Sequence, residues 1–133
     1  MAFRVLIVDD SPAMRGFVRR VLEISQLETS AVFEAADGME ALETLSREWV
    51  DVILTDINMP RMNGEEFVTK LTQSAQLAAV PVIVITTDGT EVRQEHLRAL
   101  GVRGYLSKPF TPEDLKDEVE RVMEAGTCQY NAF

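Results

Sequence analysis

Short runs of aliphatic residues alternate along the chain with longer segments in which apolar residues recur every three or four positions. Five runs are typical of β-strands: FRVLIV from Phe3, AVFEA from Ala31, VDVILT from Val50, PVIVIT from Pro81 and GYLS from Gly104. The first, third and fourth are almost continuously apolar, as expected of strands that are buried on both faces of a parallel sheet. The second and fifth runs are weaker and are predicted to lie nearer the edges.

A segment of helical period follows each strand. Ser11 and Pro12 form an N-cap and first-turn pair after the first strand, and Thr111 and Pro112 do the same before the last helix. The three helices between them are predicted around Met39–Leu45, Phe67–Leu71 and Val92–Leu100. Five βα units in succession predict an α/β fold, with a doubly wound parallel sheet and helices on both faces.

Length and composition narrow the class of protein. The 133 residues suit one domain, predicted over residues 1–125, with a short C-terminal tail at 126–133. Because 22 acidic residues outweigh 13 basic ones, a net charge of −9 argues against nucleic acid as a direct partner. No apolar run approaches the roughly 20 residues that span a bilayer, so membrane insertion is not expected. The single cysteine, Cys128, permits no internal disulfide, which favours a cytoplasmic location.

Three carboxylates follow two of the predicted strands. Asp9 and Asp10 come directly after the first strand, and Asp56 follows the third. Ligands of open α/β sheets bind beyond the carboxyl ends of the strands. If these two strands are neighbours, about 4.8 Å apart, the carboxylates converge and require a cation, for which oxygen ligands suggest Mg²⁺. Taken singly, the pair could instead be solvated or cap a helix, and Asp56 could start a turn.

Hydroxyl and ammonium groups follow the last two strands. Thr86 and Thr87 lie at the end of the fourth strand, and Lys108 follows the fifth. A carboxylate nucleophile, a divalent metal, a hydroxyl and an ammonium form a set suited to phosphoryl transfer. In this interpretation Asp56 attacks phosphorus, while the metal and Lys108 balance the charge of the phosphoryl oxygens.

Four motifs occur in register: LIVDDS, ILTDINMPRMNG, PVIVITT and YLSKPF. With these motifs the chain resembles, from about Val5 to about Met123, the receiver domain of two-component response regulators of the single-domain chemotaxis CheY type. The resemblance implies a flavodoxin-like (βα)5 fold whose five parallel strands lie in the order 2-1-3-4-5. It also implies that the Lys108–Pro109 peptide is cis.

The resemblance further implies a role for each site residue. Asp56 would accept a phosphoryl group from a sensor histidine kinase or phosphotransfer protein. Asp10, Asp56 and the backbone carbonyl of Asn58 would bind Mg²⁺ directly, and Asp9 would act through water. Lys108 would contact the phosphoryl group.

The resemblance also implies a route for the signal. Thr86 would swing toward the phosphoryl group and Tyr105 would move inward with it, although a tyrosine that simply packs on an edge strand is an alternative. The change would reach a downstream protein target through the surface of the fourth helix, fifth strand and fifth helix. Thr87 stands where the family usually has alanine, which narrows access to the site. The resemblance implies that Asn58 and Asp88 occupy positions at which family members tune the lifetime of the acyl phosphate.

The predicted function is therefore that of a stand-alone signalling module that catalyses only its own phosphorylation and dephosphorylation. One alternative is a phosphatase of the haloacid-dehalogenase type, which uses the same groups. Its second aspartate would be at the position of Asn58, and the chain has no segment for a cap. Another alternative is a receiver-fold scaffold that signals without phosphorylation, although the acceptor, the acidic pair and the lysine are all present.

Overall fold

The computed structural model describes residues 2–87 and 90–131, with side chains described as far as residue 124. Within these residues, five strands and five helices alternate along the chain. They are β1 (Phe3–Val8), α1 (Pro12–Ile24), β2 (Thr29–Ala35), α2 (Gly38–Leu45), β3 (Val52–Thr55), α3 (Gly64–Thr72), β4 (Val82–Thr86), α4 (Glu91–Leu100), β5 (Gly104–Ser107) and α5 (Pro112–Asn131). All ten predicted elements are present, with boundaries shifted by a few residues except at the end of α5, which extends into the predicted tail. Asp88 lies outside the described residues.

The five strands form one parallel sheet in the order β2-β1-β3-β4-β5. This confirms the doubly wound fold and the two predicted edge strands. In the pairing of β1 with β3, Val8 lies opposite Thr55. The residue that follows each of these strands, Asp9 or Asp56, therefore leaves the sheet beside the other.

Two hydrophobic clusters cover the two faces of the sheet. In β1, Val5 and Ile7 pack on one face and Leu6 and Val8 on the other, as the alternation of side chains along a strand requires. The first face is covered by residues of α1 and α5, and the second by residues of α2, α3 and α4. Burial on both faces explains why the central strands are almost continuously apolar.

Helix α4 contributes few apolar residues to the core and also makes polar contacts with α3. Leu97 is its one fully buried apolar residue among those described, and Val92 is 79% exposed. Arg93 Nη1 forms an ion pair with Glu65 Oε1 of α3 at 2.8 Å, and His96 Nε2 lies 3.5 Å from the other oxygen of that carboxylate. With one fully buried apolar position, the helix needs only a weak apolar periodicity in its sequence.

Helix α5 continues to Asn131, so residues 126–131 of the predicted tail are helical. The domain boundary at residue 125 remains a prediction. In the part of the chain that the structure covers, no helix has both the length and the apolar character needed to cross a membrane.

Candidate functional site

The candidate site lies at the carboxyl edge of the sheet, where β1, β3, β4 and β5 end. Two backbone hydrogen bonds fix the positions of the first carboxylates. The Asp9 N–H donates to the carbonyl of Ala35 at 3.0 Å, and the Asp56 N–H donates to the carbonyl of Val8 at 2.9 Å. The strand register, rather than any loop, therefore sets the separation of Asp9 and Asp56.

The carboxylates of Asp9, Asp10 and Asp56 form an acidic cluster. One oxygen from each lies within 4.8 Å of the others. Asp9 is buried, Asp56 is half-buried and Asp10 is exposed. The cluster could hold a metal ion, and its all-oxygen donor set suits a hard divalent cation.

The electrostatics of Asp9 reflect this crowding. Burial raises the pKa of its carboxyl, and the charges of Asp56 and Asp10 raise it further. The Ser11 N–H, which donates to Asp9 Oδ1 at 2.9 Å, and the charge of Lys108 lower the pKa without reversing its direction. The ionised cluster therefore destabilises the metal-free fold.

We expect Asp10→Asn to raise the free energy of unfolding by about 1 kcal/mol in chelator-containing buffer, because it removes one of three like charges and keeps the side-chain shape. Urea denaturation measures the change. Glu23→Gln is the matched control, since it removes the same charge from an exposed position of α1 outside the cluster. A variant less stable than the parent protein would contradict the repulsion.

The carboxylate and backbone of Asp56 are held by its neighbours. The Ile57 N–H donates to Asp56 Oδ1 at 2.7 Å, and the Thr55 hydroxyl donates to the Asp56 carbonyl at 2.9 Å. Gly64 lies directly behind, since a Cβ there would be 2.5 Å from the Asp56 carbonyl oxygen. The side chain therefore leaves the end of β3 in a defined direction.

Thr86 and Lys108 lie at the ends of β4 and β5. Thr86 is 5% exposed, and its carbonyl accepts from the Lys108 N–H at 2.8 Å. The Lys108–Pro109 peptide is cis, as the resemblance implied. The charge of Lys108 lowers the pKa of Asp9, so this ammonium group acts on the acidic cluster.

The remaining predicted residues lie around this centre. Thr87 and Asn58 are exposed, the latter two residues beyond Asp56. Tyr105 is half-buried and packs against the hydrophobic cluster that lies between the sheet and helices α2, α3 and α4. The structure thus brings the three aspartates together, and it places Thr87, Asn58 and Tyr105 on neighbouring segments.

Two features near the site were not predicted from the sequence. Arg15 donates to the Asp9 carbonyl at 2.6 Å and pairs with Glu34 of β2 at 3.0 Å, contacts that no local pattern in the sequence indicates. Asp37 binds Arg61 at 2.6 Å. An aspartate three residues before a glutamate is a recognisable capping pattern in the sequence, whereas the distant arginine leaves no such signal.

Comparison with known proteins identifies a family. The model of the response regulator receiver domain matches residues 5–120. The chain is 38% identical over 125 residues to the chemotaxis protein CheY homolog of Campylobacter jejuni, covering 93% of this chain and 95% of that protein. It is 39% identical over 121 residues to chemotaxis protein CheY1 of Helicobacter pylori, covering 90% and 96%.

Solved structures show the same likeness. The chemotaxis response regulator CheY4 of Vibrio cholerae superimposes with a TM-score of 0.81 at 38% identity, covering 92% of this chain and 99% of that one. A CheY-like receiver domain protein of Methanospirillum hungatei gives a TM-score of 0.81 at 26% identity, covering 97% and 99%.

Proposed function

Because the chain belongs to the response regulator receiver family, we propose that it is a signalling domain switched by phosphorylation of Asp56. The observation that carries the assignment of Asp56 is its place in the acidic cluster, at the end of β3 and within 4.8 Å of Asp9 and Asp10. The charge of Lys108 acts on the same cluster. A nucleophile beside a cation-binding group and an ammonium is the arrangement that phosphoryl transfer requires.

We propose Mg²⁺ as the cofactor. Asp10, Asp56 and the backbone carbonyl of Asn58 would bind it directly, and Asp9 would contribute through water. The exposure of Asp10 and Asn58 suits a cation that keeps several water ligands. When bound, Mg²⁺ supplies charge neutralisation for the carboxylates and the phosphoryl oxygens.

The transfer step uses the side chains of the chain itself. A carboxylate oxygen of Asp56 forms a bond to phosphorus while the bond from phosphorus to the donor nitrogen breaks, and that nitrogen keeps the electron pair. The donor is a phosphohistidine of a sensor histidine kinase or phosphotransfer protein. The Lys108 ammonium balances the charge of the phosphoryl oxygens, and the Thr86 hydroxyl donates a hydrogen bond to one of them. Thr87 lies exposed next to Thr86, where its side chain would narrow the approach to Asp56.

The output is a change of conformer population. The hydrogen bond of Thr86 to the new phosphoryl group favours a conformer in which Tyr105 moves inward. A downstream protein then binds the surface formed by α4, β5 and α5. The family match does not favour a haloacid-dehalogenase-like phosphatase or a scaffold independent of phosphorylation.

Intact-protein mass spectrometry tests the proposal. The protein is incubated with Mg²⁺ and a small acyl phosphate, in parallel with a sample that contains excess chelator. We expect the mass to increase by one phosphoryl group in the Mg²⁺ sample alone. Equal masses in the two samples, with Mg²⁺ binding established by calorimetry, would contradict the proposed function.

We expect Thr86→Ala to separate phosphorylation from its conformational response. The variant lacks the hydroxyl that would bind the phosphoryl group, yet keeps Asp56 and the acidic cluster. Hydrogen exchange of residues 91–107 should change on phosphorylation in the parent protein and change little in the variant. Thr87→Ala is the matched control and should keep the full response. A full response in Thr86→Ala would remove Thr86 from the switch.

A further inference from the structure

The loop between β3 and α3 contains a strained turn at Arg61. The Met62 N–H donates to the Pro60 carbonyl at 2.6 Å, and Arg61 between them has a φ of 63°. A three-residue turn of this hand is rare, and it costs a residue other than glycine on the order of 1–3 kcal/mol. The turn lies three residues after Asn58, in the same loop, so its conformation bears on the proposed metal-binding backbone.

A buried carboxylate opposes this strain. Arg61 Nε donates to Asp37 Oδ2 at 2.6 Å, and the Asp37 side chain is 3% exposed. The other oxygen, Oδ1, caps α2 by accepting from the Glu40 N–H at 2.9 Å. Burial alone would raise the pKa of Asp37, but the hydrogen bonds from Glu40 and Arg61 outweigh it and hold the pKa below its usual value. The ion pair thus joins the turn to the rigid start of a helix.

Backbone contacts reinforce this attachment. The Gly38 N–H donates to the Met62 carbonyl at 3.1 Å, and a Cβ on Gly38 would lie 2.7 Å from the Met62 side chain. At the far end of the loop, the Gly64 N–H donates to the Ile57 carbonyl at 2.8 Å. A hydrogen bond between Gly64 and Ile57 therefore joins the two ends of the loop that carries Asn58, and contacts with Gly38 and Asp37 attach its middle to the start of α2.

We propose that the Asp37–Arg61 pair positions the Asn58 backbone for metal binding. Neither residue belongs to the acidic cluster, so both act as positioning residues through the loop. The inference rests on the proposed function, because it assumes that Mg²⁺ binds between the aspartates and Asn58. It also predicts an unusual sign: removing the Arg61 cation should weaken cation binding, whereas a purely electrostatic effect would strengthen it.

The variant Arg61→Gly separates positioning from simple stabilisation. Glycine adopts a φ of 63° without strain, which offsets part of the stability lost when Asp37 loses its ion pair, so the variant should stay folded in chelator with a modestly lower midpoint of thermal unfolding. Mg²⁺ affinity, measured by titration calorimetry on the full chain, should fall about tenfold, the usual cost of losing a contact that orients a metal ligand. Replacing a residue that only stabilises the fold would lower the midpoint and leave the Mg²⁺ affinity of the folded protein unchanged.

Two further variants complete the design. Arg47→Ala removes a cation from an exposed pair near the end of α2, with side chains 62% and 68% exposed, and should change Mg²⁺ affinity less than about twofold. Asp37→Asn keeps a helix-capping residue but loses the charge, so it should weaken Mg²⁺ binding, and Arg61→Gly should add little to it.

Parental or tighter Mg²⁺ binding in Arg61→Gly would overturn the inference. Absence of Mg²⁺ binding by the parent protein would overturn it together with the proposed metal site. A tenfold loss in Arg61→Gly alongside a parent protein that takes up no phosphoryl group would support the positioning role and reject only the acceptor assignment.

Discussion

Asp56→Asn is expected to abolish phosphorylation by a small acyl phosphate and to leave the fold intact. The amide nitrogen is a poor nucleophile, so the variant lacks the oxygen that would bond to phosphorus. The amide oxygen can still accept the hydrogen bond that the Ile57 N–H donates to Oδ1 at 2.7 Å. Losing one charge from the cluster also reduces repulsion with Asp9 and Asp10. The unfolding midpoint in chelator should therefore be unchanged or higher.

Intact mass and urea denaturation check the two halves of this prediction. Asp117→Asn, at an exposed position of α5 away from the acidic cluster, is the matched control and should be labelled like the parent protein. Stoichiometric labelling of Asp56→Asn would show that another carboxylate is the acceptor. A large loss of stability would instead show that favourable contacts of the Asp56 charge in the fold outweigh its repulsion with Asp9 and Asp10.

The central part of the fold could be predicted from the sequence because its physical signal is local. β1 from Val5 and β3 up to Leu54 are apolar, since both faces of each strand are covered by helices. The start of β2 was missed by two residues, because Thr29 and Ser30 are exposed at the edge of the sheet and carry no apolar pattern. The strand order came from the family resemblance, since periodicity alone does not fix which strands are neighbours.

In the candidate site, too, some features have a local signal in the sequence and others do not. The positions of Asp9, Asp10 and Asp56 could be predicted because each comes directly after a buried strand, and the parallel register then brings them together. The Asp37–Arg61 contact could not be predicted, because it joins residues 24 positions apart and depends on a left-handed arginine. A backbone conformation that the residue itself disfavours is set by tertiary contacts, which local patterns do not encode.

Gly64 packs closely against the backbone that follows the end of β3. This glycine begins α3, and its neighbours leave no space for a side chain: a Cβ would lie 2.5 Å from the Asp56 carbonyl oxygen and 2.9 Å from the Ile57 Cα. Both atoms belong to the backbone, so neither can rotate away. Any larger residue at this position must displace either the end of β3, which carries Asp56, or the start of α3.

We therefore expect Gly64→Ala to lower the free energy of unfolding by about 3 kcal/mol and to slow phosphorylation, because the displaced backbone carries Asp56. Gly16→Ala is the matched control: it lies in α1 with nothing within 4 Å of its Cβ, and alanine should stabilise that helix by about 0.5–1 kcal/mol. Urea denaturation and the labelling rate measure both effects. If Gly64→Ala were as stable as the parent protein and were labelled equally fast, the backbone of Asp56 would not be held by this contact.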